Sequence, residues 1–347
     1  MLRVLEYGAY RIKRFLVNLG MAYLHRAGLV EFGLNYRFLI ATTTGLHLYD
    51  RGQIRRLLTG EFFGLTATDT PGEYYFAICS NDFEKKDFRG RILRCRFDGT
   101  AVHVRGELPL IRAGKPEAAL RIHQIRWHDG HLWVVNTMGN VLWKVTPEGR
   151  IVGEWTETSF FDGDTPGHQI LSSRAYKHYN SIAFRDGLIY LLAHNSGGQD
   201  KSGQSYVIVL DSELKEVSRR EEIGWACHDL LWQGDDLYIC DSGGHTLLRN
   251  YEPVLRTDRF LRGLTAAGSI LILAGTDWEP DKSRRRLAGS VLYFVDQSTF
   301  HVLHTLVFNR LGPIHDLLFL EQVPTLPQPR PRDSRAPEPR HAGQGAA

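Results

Sequence analysis

One phrase recurs along this chain. An apolar strand leads into a turn built on Gly or Asp-Gly, then come a strand rich in aromatic and β-branched residues and two further strands. Its clearest copy is IHQIRWHDGHLWVVNTMGNVLWKVTPEGRIVGEW, from Ile122 to Trp155. Asp129-Gly130 between two alternating runs is a strong hairpin signal. Further copies begin at Phe62 (FFGLTATDTPGEYYFAICS), Tyr179 (YNSIAFRDGLIYLLAHN), Cys227 (CHDLLWQGDDLYICDSGG) and Phe260 (FLRGLTAAGSILILAGT). Self-similarity of this kind marks a repeat architecture, in which each unit buries its apolar face against its neighbours.

Two fragments are left over. IHDLLFLEQ, from Ile314 to Gln322, reads as a first strand with nothing after it. RFLIATTTGLHLYDRGQIRRLL, beginning at Arg37, reads as second, third and fourth strands with no first. Joined, they complete a sixth unit. Closing a ring with strands from both ends protects the sheet edges. The expectation is an all-β, six-bladed β-propeller over residues 36–322 with ring closure by N- and C-terminal strands. No long helical period separates the strands, which excludes a two-domain α/β arrangement. With 43% hydrophobic and 11% aromatic residues the 347-residue chain can fill one large core.

The flanks read differently. Residues 1–35 alternate apolar and basic side chains at near-helical spacing, predicting a helical extension that packs on the domain. The competing expectation is a surface helix making peripheral membrane contact. Residues 323–347 are rich in Pro, Arg and Ala and predict a disordered tail. No run is apolar long enough for a signal h-region or a transmembrane span, so a cytoplasmic location is expected. Cys79, Cys95, Cys227 and Cys240 lack CxxC spacing and read as buried thiols. The net charge of +3 carries no nucleic-acid signature.

In a propeller the innermost strand of each blade starts beside the axis. Aligning the six inner strands on their Leu/Ile places Phe63, His123, Asn180, His228, Arg262 and His315 at one register. The histidines fall in blades two, four and six. With blades roughly 60° apart, the three imidazoles are expected to converge as a trigonal face for a divalent metal, zinc or calcium, with one side open to water or substrate. Asp229 and Asp316 follow their histidines and should point to the opposite face as supporting groups. Arg262 and Asn180 would orient a substrate, and His194 joins them as a catalytic candidate. Asn136, Asn195 and Asp241, at the ends of second strands, are candidate substrate-binding residues. The loops between second and third strands are short in blades two, four and six and long in one, three and five. The long ones carry Lys85, Lys86, Lys201, Arg284, Arg285 and Arg286, a basic rim that suits a small anionic substrate. The segment 156–178 joins blades two and three on the same side and offers His168, Tyr176 and His178.

HQIRWHDGHLWVVNT, NSIAFRDGLIYLLAHN and HDLLWQGDDLYICDSGG resemble the units of NHL-type and gluconolactonase-like six-bladed propellers over roughly Phe38 to Gln322. The three-histidine register is similar to that of peptidyl-α-hydroxyglycine α-amidating lyases. That resemblance implies a metal on His123, His228 and His315. The lyase's catalytic arginine and tyrosine find no counterpart, since Phe63 holds the blade-one register. KHYNSIAFRDGLIYLLAHNS also resembles a stretch of the bacterial arylsulfotransferases, which implies a nucleophilic histidine, His228 or His315, assisted by Arg262. Three functions follow as expectations. The first is a metal-dependent lyase or hydrolase on a small anionic substrate. The second is metal-free transfer through a covalent histidine. The third is a non-enzymatic propeller that binds a ligand or protein.

Overall fold

A computed structural model describes residues 35–80, 87–157, 176–194, 204–279 and 281–322. Both predicted flanks lie outside these residues, apart from Asn35 at the edge of the first.

Six antiparallel sheets form the blades, each wound outward from an inner strand, and Ile111–Arg112 pairs with Lys115–Pro116 in a separate two-stranded ribbon. Blade one runs Phe62–Ala67, Glu73–Cys79, Arg89–Phe97 and Val102–Glu107, with the short strand Ala119–Leu120 also paired to Arg89–Phe97. Blade two is Ile122–His128, His131–Asn136, Val141–Val145 and Ile151–Trp155. Blade three is Tyr179–Arg185, Leu188–Ala193, Ser205–Leu210 and Glu216–Gly224. Blade four is His228–Gln233, Asp236–Asp241, Thr246–Arg249 and Glu252–Arg256. Blade five is Phe260–Ala267, Ile270–Thr276, Ser290–Asp296 and Val302–Phe308.

Blade six is the predicted composite. Ile314–Gln322 pairs antiparallel with Tyr36–Thr42, which continues through Gly45–Asp50 to Gln53–Thr59. An ion pair between Arg37 and Glu321 joins the two ends.

The core follows from the alternation of the strands. The second and third strands of a blade are covered on both faces and read as near-continuous apolar runs, such as ILILAGT and SVLYFVD. Six separate clusters of buried side chains result, and each belongs to one pair of adjacent blades. Tyr36, Phe38 and Tyr49 of blade six pack with Phe294 of blade five, and Leu39 and Leu46 pack with Phe76 and Phe97 of blade one. The ring is therefore continuous through the composite blade. Fourth strands are mostly half-exposed or exposed, as a rim should be.

Close approach near the axis constrains two glycines. A Cβ on Gly64 would stand 2.6 Å from the Ile125 nitrogen of the next inner strand. Gly263 has φ +81°, a conformation that other residues adopt only with strain, and it faces Ile314 and Leu317. The only helix among the described residues is the turn Lys282–Arg285, in the long loop of blade five. No described helix is long and apolar enough to cross a membrane. The four cysteines are buried and unbridged, as read from the sequence.

Candidate functional site

The inner strands do not run regularly to the axis. Each shifts register against its second strand near its axial end: between Phe62 and Gly64, Ile122 and Gln124, Tyr179 and Ser181, His228 and Leu230, and Leu261 and Leu264. In blade six Asp316 and Ile314 pair while His315 is passed over. A bulge leaves one residue out of the ladder and re-aims its side chain. The residues passed over are Phe63, His123, Asn180, Asp229, Arg262 with Gly263, and His315. All but Asp229 and Gly263 belong to the register aligned from sequence, so five of its six residues owe their placement to a bulge. In blade four the bulge falls one residue later, at Asp229, whose φ is +57°.

The polar residues that follow the register tie the blades together. Gln124 of blade two accepts a hydrogen bond from the Ile182 nitrogen of blade three (2.7 Å). Asp229 of blade four accepts one from Leu264 N of blade five (2.9 Å), and Asp316 of blade six accepts one from Leu65 N of blade one (2.9 Å). Every even blade is thus tied to its odd successor. Arg126 crosses between them, donating to both Asp316 oxygens (2.7 and 3.0 Å) with Asp229 3.5 Å away, and Gln124 donates to Asp229 at 2.7 Å. Asp229 and Asp316 are structural, as their strand positions suggested. Arg126 was missed. Its signal was a charged residue directly after the buried run IHQI, midway along an inner strand.

Beside this tie lies a chain of aromatic rings around the axis. His315 stacks on Phe63 (4.1 Å between centroids) and Phe63 on His123 (5.5 Å). His123 meets His178 edge-on (4.8 Å), His178 stacks on His194 (4.3 Å), and His194 meets His228 edge-on (4.3 Å). Phe260 and Trp278 continue the series from His228. The structure brings His123, His194, His228 and His315 of the predicted set into this series, with Asn180 attached through His123. It adds His178, and Tyr176 packs against it. His168 and Asn195 lie outside the described residues.

Two hydrogen bonds fix which nitrogens carry protons. Asn180 donates from Nδ2 to His123 Nδ1 (2.9 Å), so the His123 proton sits on Nε2, which is buried with no partner among the described residues. At His228 the Nδ1 lies 2.8 Å from Ser242 Oγ. The Ser242 hydroxyl donates to the Leu261 carbonyl, so Ser242 accepts from His228 and the free lone pair is on Nε2. Both His315 nitrogens are buried without a hydrogen-bond partner among the described residues.

Burial holds His123, His228 and His315 well below the ordinary imidazole range, reinforced by neighbouring charge. Arg262 acts on all three, Arg121 on His123 and His315, and His178 and His194 on His123 and His228. Arg262 is lowered to about 9, first by burial and then by Arg121 and Arg285, against the opposing pull of Asp229 and Glu61. No hydrogen bond or ion pair engages the Arg262 guanidinium among the described residues, and its Nε is buried. The site is therefore neutral imidazole under a concentrated positive field.

Other predicted residues are used elsewhere. Asn136 Oδ1 accepts from Leu120 N (2.8 Å). Asp241 Oδ1 accepts from Trp225 N (2.9 Å) and Gly244 N (3.0 Å), bracing the loop after its strand. Of the basic rim, Arg284, Arg285 and Arg286 are described; Lys85, Lys86 and Lys201 are not. Arg285 donates from Nε to the Glu279 carbonyl (2.7 Å) and lies over the Trp278 ring. A cavity of about 1280 Å³ opens beside blade one, lined by Glu61, Cys79, Arg89 and Arg286 among others, and none of these histidines lines it.

The chemistry of the histidines argues against the trigonal metal site expected from sequence. Phe63, whose blade stands between those of His315 and His123, stacks on both rings. His123 and His228 each commit Nδ1 to a side chain, and His123 presents an N–H, not a lone pair, on Nε2. Among the described residues no group of three or more His, Cys, Asp or Glu is placed to hold a metal ion. The residues do not fit zinc or calcium as placed.

No protein-family model and no curated protein sequence matches the chain. Solved structures do match it in fold. A nidogen/laminin complex aligns at 13% identity over 83% of this chain and 99% of that chain, TM-score 0.53. A Bacteroides caccae protein of unknown function aligns at 12% over 82% and 99%, TM-score 0.53. The periplasmic gluconolactonase of Pseudomonas aeruginosa aligns at 14% over 83% and 99%, TM-score 0.51. At these identities the likeness establishes the class, a six-bladed β-propeller with lactonase-like propellers among its structural neighbours, and carries no activity across.

Proposed function

We propose that the axial histidine cluster is an active site that binds a small anionic substrate and hydrolyses it by histidine acid–base chemistry. The observation that carries this reading is the Arg262 guanidinium, half-buried beside neutral imidazoles with no counter-ion contact among the described residues. A planar guanidinium in that state is matched by a carboxylate, sulfate or phosphate group. The imidazoles supply proton acceptors and donors that stay uncharged near neutral pH. No step is routed through a metal, because the histidines do not fit one.

Calorimetric titration with inorganic phosphate, sulfate and acetate tests the anion site. A charge-assisted contact is worth about 1.5–3 kcal/mol, so Arg262→Met is expected to weaken binding roughly tenfold to a hundredfold. Equal affinity in wild type and variant, with matching thermal melts, would overturn the assignment. Metal analysis of the purified protein runs alongside it, and a stoichiometric zinc or calcium ion lost on His123→Ala would restore the metal reading.

A further inference from the structure

We propose that the axial histidines are not equivalent: His228 is the proton acceptor and His123 the hydrogen-bond donor to substrate, with Ser242 and Asn180 as the positioning residues that set these roles. The inference rests on the reading of the axial cluster as an active site and divides the labour within it.

The division follows from what each partner is able to do. An amide nitrogen only donates, so Asn180 forces the lone pair of His123 onto Nδ1 and the proton onto Nε2. A serine hydroxyl has one proton. Here it goes to a carbonyl that only accepts, Leu261 O, leaving Ser242 Oγ to receive the His228 Nδ1 proton. His228 Nε2 is then the unprotonated atom. The two rings thus carry opposite tautomers at the same register. A charge on His123 also opposes one on His228. That is the arrangement hydrolysis by an acid–base pair requires. Neither Ser242 nor Asn180 would touch the reacting atoms.

The step this supports is attack of water on an acyl ester that also carries an anionic group held by Arg262. Water gives one proton to His228 Nε2 as its oxygen bonds to the acyl carbon, and the carbonyl π pair moves onto oxygen. His123 Nε2–H donates to that oxyanion. When the oxyanion collapses, the carbon–alkoxide bond breaks, and the leaving oxygen takes the proton back from His228. Water adds across the ester and nothing is oxidised or reduced.

Nitrogen NMR of the full chain with 15N-labelled histidine reads the tautomers directly, each ring being assigned from His228→Gln and His123→Gln. At pH 8 the expected result is an unprotonated Nε2 on His228 and a protonated Nε2 on His123. Ser242→Ala should move the His228 Nε2 signal toward the protonated range, and Ser242→Thr, which keeps the hydroxyl, should return it. Diethyl pyrocarbonate, which acylates unprotonated imidazole nitrogen, should modify His228 in preference to His123, and Ser242→Ala should slow that modification. Reversed tautomers, or a His228 signal indifferent to Ser242→Ala in a variant that melts like wild type, would overturn the division. If the tautomers hold but anions bind independently of Arg262, the reading of the site fails and takes these roles with it. If anion binding depends on Arg262 but the tautomers are reversed, the roles alone fail.

Discussion

Asp316→Ala is expected to destabilise the folded protein by about 3–5 kcal/mol, the range for removing one partner of a buried ion pair. Asp316 is fully buried and takes a two-pronged contact from Arg126. It also accepts the Leu65 backbone N–H. Without it the guanidinium keeps only the Leu65 and Ile125 carbonyls and the more distant carboxylate of Asp229, and a buried donor of blade one has no acceptor. The damage falls on the closure itself, because Asp316 lies on the strand that completes blade six. Urea unfolding followed by tryptophan emission measures the effect. Asp316→Asn should lose less, since it keeps one acceptor oxygen. A loss under about 1 kcal/mol for the alanine variant, as a surface pair would give, would show that Arg126 does not depend on this carboxylate.

Acid should unfold the protein through its histidines before its surface carboxylates titrate. His47, on the third strand of the composite blade, Gly45–Asp50, is 6% exposed and lowered to about 4, by burial first and then by the Arg56 charge, against a hydrogen bond to the Gly45 backbone that raises it. A group lowered in the folded state contributes stability that is full above its unfolded value, about 6.5, and is lost as pH falls toward 4. For His47 that amounts to roughly 3 kcal/mol, taking 1.36 kcal/mol per unit. His123, His228 and His315 shift in the same direction and steepen the loss. Asp229 has the opposite sign. Burial and the Asp316 charge raise it despite Arg126, so its contribution is full below the ordinary carboxylate value and lost as pH rises. Melting temperatures across pH 4–8 should fall on the acid side, less steeply for His47→Gln than for wild type. Two parallel curves would rule His47 out as a contributor.

The ring was legible because strand alternation and turn chemistry are local, and the unmatched fragments at Arg37 and Ile314 left only one way to pair. The register at the axis was legible too, as a row of residues sharing a position before Leu or Ile. What it would do was not. Alternation assumes a regular ladder, whereas bulges at Phe63, His123, Asn180, Asp229, Arg262 and His315 change which residue is passed over. Phe63 counted in the sequence only as a vacancy in a row of polar residues, yet it separates two of the histidines expected to meet. Ser242 and Asn180 set proton positions through contacts between strands distant in sequence, and no spacing rule exposes such contacts. Arg126 stayed hidden for the same reason.

The composite blade also fixes an order of events during synthesis. Arg37 and Glu321, joined in the finished ring, stand 284 residues apart. At roughly 5–20 residues per second the strand Tyr36–Thr42 waits on the order of tens of seconds for its partner. Through that interval its backbone edge and the aromatic side chains Tyr36 and Phe38 have no covering strand, a template for pairing with other chains. Blades one to five can assemble in turn as they emerge. The last lock is the slowest contact in the chain, and a nascent protein of this design depends on protection of its earliest strand until the final one arrives.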